Sequence, residues 1–243
     1  MKQIVLALFF IFLTGKAFSA ETFIVGGEDA QAGQFPWIGG IEYVEYAFVC
    51  AGAVISDHWF LTAAHCVYFL TPDAIRIRVG SRFRETGGQL HDITRHITHP
   101  NFTQDYTYEF DVAVCETAGI MAGPGIRPVP VGQIEPPTGS RVFISGWGAT
   151  EYGGYPAEVL QFVDIPIISR DDCNIIYPGN ITESMICAGQ SGRDVCVLDN
   201  GGPMASFLNF FSQFELTLKF LLYSLDGFQK PFGGYCKRWI GMR

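Results

Sequence analysis

Asp194-Val195-Cys196-Val197-Leu198-Asp199-Asn200-Gly201-Gly202-Pro203 is the stretch that decides how the rest of the chain is read. It places an acid beside an asparagine, then a Gly-Gly-Pro turn, with a second acid and a cysteine upstream. Two earlier stretches carry groups that belong with it. Leu61-Thr62-Ala63-Ala64-His65-Cys66 sets an imidazole beside a thiol, and Phe110-Asp111-Val112-Ala113-Val114 sets an aspartate before an apolar run. An imidazole titrates near neutral pH and so suits general-base work. Taken singly, each has an ordinary reading. A histidine beside a cysteine is usually structural or a metal ligand, and an isolated aspartate before a strand is usually a turn residue. What joins them is their order along the chain: His65, Asp111, then position 200.

Around these stretches, residues 34–148 alternate short apolar runs with Gly, Pro, Asn and Asp. Segments 48–55, 75–79 and 142–145 are examples. Short strands at this spacing predict an all-β barrel or sandwich. With 243 residues and 48% hydrophobic content, the chain can bury a sizeable core. A net charge of -8 argues against nucleic acid or an anionic membrane as partner. Seven cysteines suit an oxidising, extracellular setting, and the odd number leaves at least one thiol without an internal partner.

The three stretches together resemble the chymotrypsin/trypsin serine proteases. That family reads D-x-C-x-G-D-S-G-G-P at the first, T-A-A-H-C at the second and D-I-A-L at the third. The resemblance implies two six-stranded antiparallel barrels, with His65 as general base and Asp111 as the residue orienting it. It places Asn200 at the nucleophile position, where the family has serine. A carboxamide has no lone pair comparable to that of an activated hydroxyl. Backbone N–H groups at positions 198 and 200 would form the oxyanion hole, and Leu198 stands where the family has glycine. Asp194 matches the residue at the base of a pocket for Lys or Arg side chains. Ile24-Val25-Gly26-Gly27 matches the mature N-terminus, whose freed Ile24 amine would pair with Asp199. Phe23 precedes it, not Lys or Arg, so a trypsin would not make that cut. The resemblance also implies disulfides Cys50–Cys66 and Cys173–Cys187, with Cys115 a buried thiol and Cys196 and Cys236 unassigned. It implies no metal and no cofactor.

The termini are read separately. Residues 1–20 have the composition of a secretory signal peptide: Lys2, an apolar run over 4–13, and small residues Ala17-Phe18-Ser19-Ala20. Residues 21–23 form a short pro-segment, 24–203 the protease-like domain, and 204–243 a tail outside the family pattern. The tail, rich in Phe and Leu but broken by Gln213, Glu215 and Lys219, is read as a packed helix or an unpaired segment, leaving the second barrel incomplete after Pro203. A one-base shift of frame over residues 231–241 permits Pro-Leu-Val-Asp and later Gly-Gly-Leu-Val, which resembles the family's sequence after its Gly-Gly. Asn101-Phe102-Thr103 and Asn180-Ile181-Thr182 are N-glycosylation acceptor patterns. His58, His91, His96 and His99 are read as surface residues. The expected protein is a secreted, monomeric trypsin-like homologue that binds proteins or peptides, not nucleic acid or membranes, and lacks peptidase activity. The alternative is a trypsin-like endopeptidase cleaving after Lys or Arg whose sequence as given is faulty or mis-spliced.

Overall fold

The computed structural model describes residues 27–45, 48–103, 109–149, 155–179, 181–190, 200–210, 213–223 and 239–242, from residue 207 onward by backbone alone. The first half opens with β1 (Glu28–Asp29) and then gives β2 (Ile38–Tyr43), β3 (Phe48–Val54), β4 (Trp59–Thr62), β5 (Ile75–Val79), β6 (Gln89–Thr98) and β7 (Ala113–Thr117). Strands β2 to β7 close a barrel in the order β2-β3-β4-β7-β6-β5. The buried positions of β5 and β7 alternate along each strand, as period-two side-chain geometry requires. Phe60, Ile41, Ile75, Ile77 and Met121 fill this barrel. Each fully buried side chain of that size contributes about 1.5–3 kcal/mol relative to exposure.

The second half contains β8 (Arg141–Gly146), β9 (Gln161–Ile168), α1 (Arg170–Ile176), β10 (Met185–Ala188), β11 (Pro203–Phe210), β12 (Gln213–Tyr223) and β13 (Trp239–Met242). Pairings run from β8 through β11, β12, β13, β10 and β9 back to β8, a closed ring of six strands. The fold is therefore mostly β, with antiparallel pairing throughout and one short helix among the described residues. Val142, Ile144, Val163, Ile165 and Met204 form the core inside the ring. Ser169 caps α1 by accepting the Asp172 N–H at 3.1 Å.

The tail differs from its sequence reading. Its described residues form paired strands and no helix, and β11, β12 and β13 cover the edges that the reading leaves open after Pro203. The reason is visible in Phe214-Glu215-Leu216-Thr217-Leu218-Lys219-Phe220, where apolar and polar residues alternate strictly. The polar residues that interrupt a helix or a membrane span occupy alternate positions of a strand's period of two. Trp239 and Ile240 of β13 pair with Ala188 and Cys187.

The two halves meet through a shared apolar layer. Phe35 packs on Phe162 at 5.2 Å between ring centroids, and Phe48 meets Trp147 edge-on at 5.7 Å. Ala51, Val129, Leu160 and Ala205 complete the layer. No helix of the described residues is long and apolar enough to cross a membrane.

Candidate active site

His65 lies in a 3₁₀ turn, Ala64–Cys66, that follows β4 directly. Two features hold that turn. Cys66 is bonded to Cys50 on β3, and Asp111 reaches across from the residues just before β7. The Asp111 carboxylate is 1% exposed. Its Oδ1 accepts the His65 backbone N–H at 2.8 Å, and its Oδ2 lies 2.5 Å from the His65 Nδ1. An ionised carboxylate only accepts, so Nδ1 carries the proton of this bond. The other ring nitrogen, Nε2, is then the basic one. The arrangement can hold an imidazole in one orientation and one tautomer, which is what proton transfer from a neighbouring group requires.

Asp111 enters this bond from an unusual backbone. Phe110, immediately before it, has φ +55°, the one non-glycine with positive φ among the described residues. A bulky side chain there costs roughly 1–2 kcal/mol. The Phe110 ring stacks on His99 at 4.8 Å with planes 10° apart, which offsets part of that cost. The sequence reading missed this pair, and no spacing rule announces it.

Position 200 is fastened to the same region from the second half. The Ala51 N–H donates to the Asn200 carbonyl at 2.8 Å. Ala51 follows Cys50, and Cys50 is bonded to the residue after His65. Gly201 has φ +77°, and a Cβ there would lie 2.5 Å from both the Ala51 carbonyl oxygen and Thr62 Oγ1. Only glycine allows this loop to seat against β3 and β4. The structure therefore brings His65 and Asp111 into contact and fastens the backbone of position 200 to Ala51 on β3. The Asn200 Oδ1 is buried, without a hydrogen-bond partner among the described residues. An unsatisfied acceptor of this type costs about 1–3 kcal/mol. Ile24, Asp194, Cys196, Leu198, Asp199 and Cys236 lie outside the described residues, as do residues 1–23.

The remaining expectations can be placed plainly. Cys173 in α1 is bonded to Cys187 in β10. Cys115 is a buried free thiol, pushed up to about 12 by burial. The four histidines read as surface residues are half-buried, and each has a partner. His58 meets the Thr117 carbonyl, His91 meets Gln89, His96 bonds the Leu70 carbonyl at 2.8 Å, and His99 accepts the Asn101 N–H at 3.1 Å. His65 also groups with the sulfurs of Cys50 and Cys66. Both sulfurs are committed to a disulfide, so neither is a thiolate that could hold a metal ion.

Antiparallel β-barrels that carry a buried Asp bonded to a His in this chain order are those of the serine protease class. The chain belongs to the trypsin family: the family described as Trypsin matches residues 24–211. Among its relatives, it is 39% identical to Trypsin of Phaedon cochleariae over 189 residues, covering 74% of this chain and 72% of that protein. It is 34% identical to Hypodermin-A of Hypoderma lineatum over 187 residues, again 74% and 72%. Its match to Transmembrane protease serine 9 of Rattus norvegicus is 36% over 192 residues, covering 76% of this chain but only 18% of that protein.

Proposed function

We propose that this trypsin-family chain is a secreted protease homologue without peptidase activity, one that holds protein or peptide ligands in the cleft its relatives use for cleavage. The observation carrying this reading is the pairing of an oriented base with a substituted nucleophile. His65 is held by Asp111, and Asn200, whose carbonyl accepts the Ala51 N–H, carries a carboxamide where the family pattern has its nucleophile. A base without an acceptor of its chemistry performs no acyl transfer. Leu198 weakens the reaction further, because a leucine does not take cheaply the backbone angles that a glycine allows there. Asp194 gives the ligand a cationic side chain, Lys or Arg, by its place in the family pattern. Residues 1–20 support export, and two disulfides suit that setting.

Ligand holding and inactivity are tested together. A serine-directed phosphonylating reagent should leave residue 200 unmodified, as read by peptide mass. A peptide ending in arginine should bind by calorimetry and bind more weakly to Asp194→Asn. Adduct formation at the 194–203 loop would overturn the inactive reading.

The intact His65–Asp111 pair favours a second reading. A chain whose base and orienting acid remain in register could be a trypsin-like endopeptidase cleaving after Lys or Arg whose sequence is faulty or mis-spliced. Genomic DNA decides this. Splice signals flanking about residues 204–230, with an open shifted frame behind them, would support it, and their absence removes it.

A further inference from the structure

Beside His65 lies a patch of aromatic surface that the proposed reaction site does not use. Tyr68 is 46% and Phe69 75% exposed, and they follow the His65 turn directly. Their rings meet edge-on at 5.1 Å, and Tyr68 meets Phe102 in the same way at 5.4 Å. Only Phe102 is tied inward, packing on the first barrel's core. Two large aromatic rings side by side in water are an apolar face without a cover.

Phe102 is also the middle residue of Asn101-Phe102-Thr103, and both Asn101 and Thr103 are exposed. The segment is rooted firmly. The Asn101 N–H donates to His99 Nδ1 at 3.1 Å, and the Phe102 N–H donates to the His99 carbonyl at 2.9 Å. An acceptor asparagine thus stands one residue from the ring that anchors the exposed patch. The second such pattern in the chain is different. Ile181 is 8% exposed, and the Thr182 hydroxyl pairs with Ser184 Oγ at 2.8 Å.

We propose that Asn101 carries an N-linked glycan whose first sugars lie over Tyr68 and Phe69. In the transfer, Asn101 Nδ2 bonds to C1 of the sugar of a lipid-linked oligosaccharide. The C1–O bond breaks, the lipid pyrophosphate leaves with its electron pair, and Nδ2 loses one proton. The C–H face of a pyranose is apolar and its rim is polar, so it suits a ring cluster that is wet on one side. The inference rests on the export reading, since the transfer takes place in the secretory pathway.

The test is expression of the full chain in eukaryotic secretory cells, once with residues 1–20 and once with an unrelated leader. Amide-cleaving glycosidase should lower the mass of the secreted protein and leave Asp at position 101 in the peptide map. Asn101→Gln and Thr103→Ala should each abolish that glycan. Removing it enzymatically should raise binding of an apolar fluorescent dye, and the rise should vanish in Tyr68→Ser/Phe69→Ser. A glycan found at Asn101 only with the unrelated leader supports the site and sinks the export reading. Secreted protein with Asn101 unmodified overturns the proposal, as does glycan removal that leaves dye binding unchanged.

Discussion

The two barrels of this chain have kept different things. The first retains the parts that hold a base: a disulfide behind His65, a buried carboxylate on its Nδ1 and its backbone N–H, and a dense apolar interior. The second retains its strand pairing and its own disulfide, and Asn200, the residue at the family's nucleophile position by sequence, carries a carboxamide. A barrel's scaffold constrains many positions through packing, whereas a nucleophile is one side chain on a loop. Architecture and reactivity can therefore part within a single chain. The apolar layer between the barrels joins the two halves through Phe35, Phe48, Trp147 and Ala205.

Perturbing one barrel at a time sharpens this contrast. Phe60→Ala empties the first barrel's centre and should cost about 3–5 kcal/mol in denaturant unfolding. If the shared layer couples the halves, the second barrel's signals should shift with it in one transition. Two separate transitions would break that coupling. Next, removing either disulfide as a Ser pair should cost about 3 kcal/mol, because the loops closed, of sequence separations 16 and 14, are nearly equal. Only loss of Cys50–Cys66 should disturb the His65 Nδ1 proton resonance, which reports the bond to Asp111. Equal disturbance by loss of Cys173–Cys187 would contradict the assignment of the base to one barrel.

Smaller effects follow. Ile165→Val in the second barrel should cost about 0.5–1.5 kcal/mol by the same unfolding measurement. Cys115 favours its protonated form in the fold, with its pKa raised to about 12. Its contribution is thus fully present below the unfolded thiol's ordinary range near pH 9 and should be lost as pH rises toward 12. Native Cys115 should resist alkylation at pH 8 and react once the chain is unfolded. Smallest of all is the gain from Asn200→Ser, for which no detectable turnover is expected. Leu198 would still disturb the oxyanion donors, and one such donor is typically worth about 10²–10³ in rate.

The sequence made the first barrel legible because its signals are local and redundant. Segment 48–55 is a short continuous apolar run and 75–79 alternates cleanly, and they appear as β3 and β5. His65 and Asp111 could be paired because each sits in a short recognisable stretch, and the fold brings the two side chains into contact. The tail was misjudged on its period. Gln213, Glu215 and Lys219 read as interruptions of an apolar run, although each falls on the same alternate register of β12. The Phe110–His99 stack was illegible for another reason: it joins residues eleven apart through a left-handed backbone that no residue type announces. The uncovered patch at Tyr68 and Phe69 was likewise invisible, since exposure follows from the turn after His65 and not from hydrophobicity alone.

The central claim is that an intact base and orienting acid remain in a chain that no longer cleaves peptides. Its most direct test is hydrolysis of an arginyl amide substrate by the purified protein after cleavage has freed the Ile24 amine, alongside His65→Ala. The account predicts no turnover above the variant. Hydrolysis that disappears in His65→Ala would contradict it.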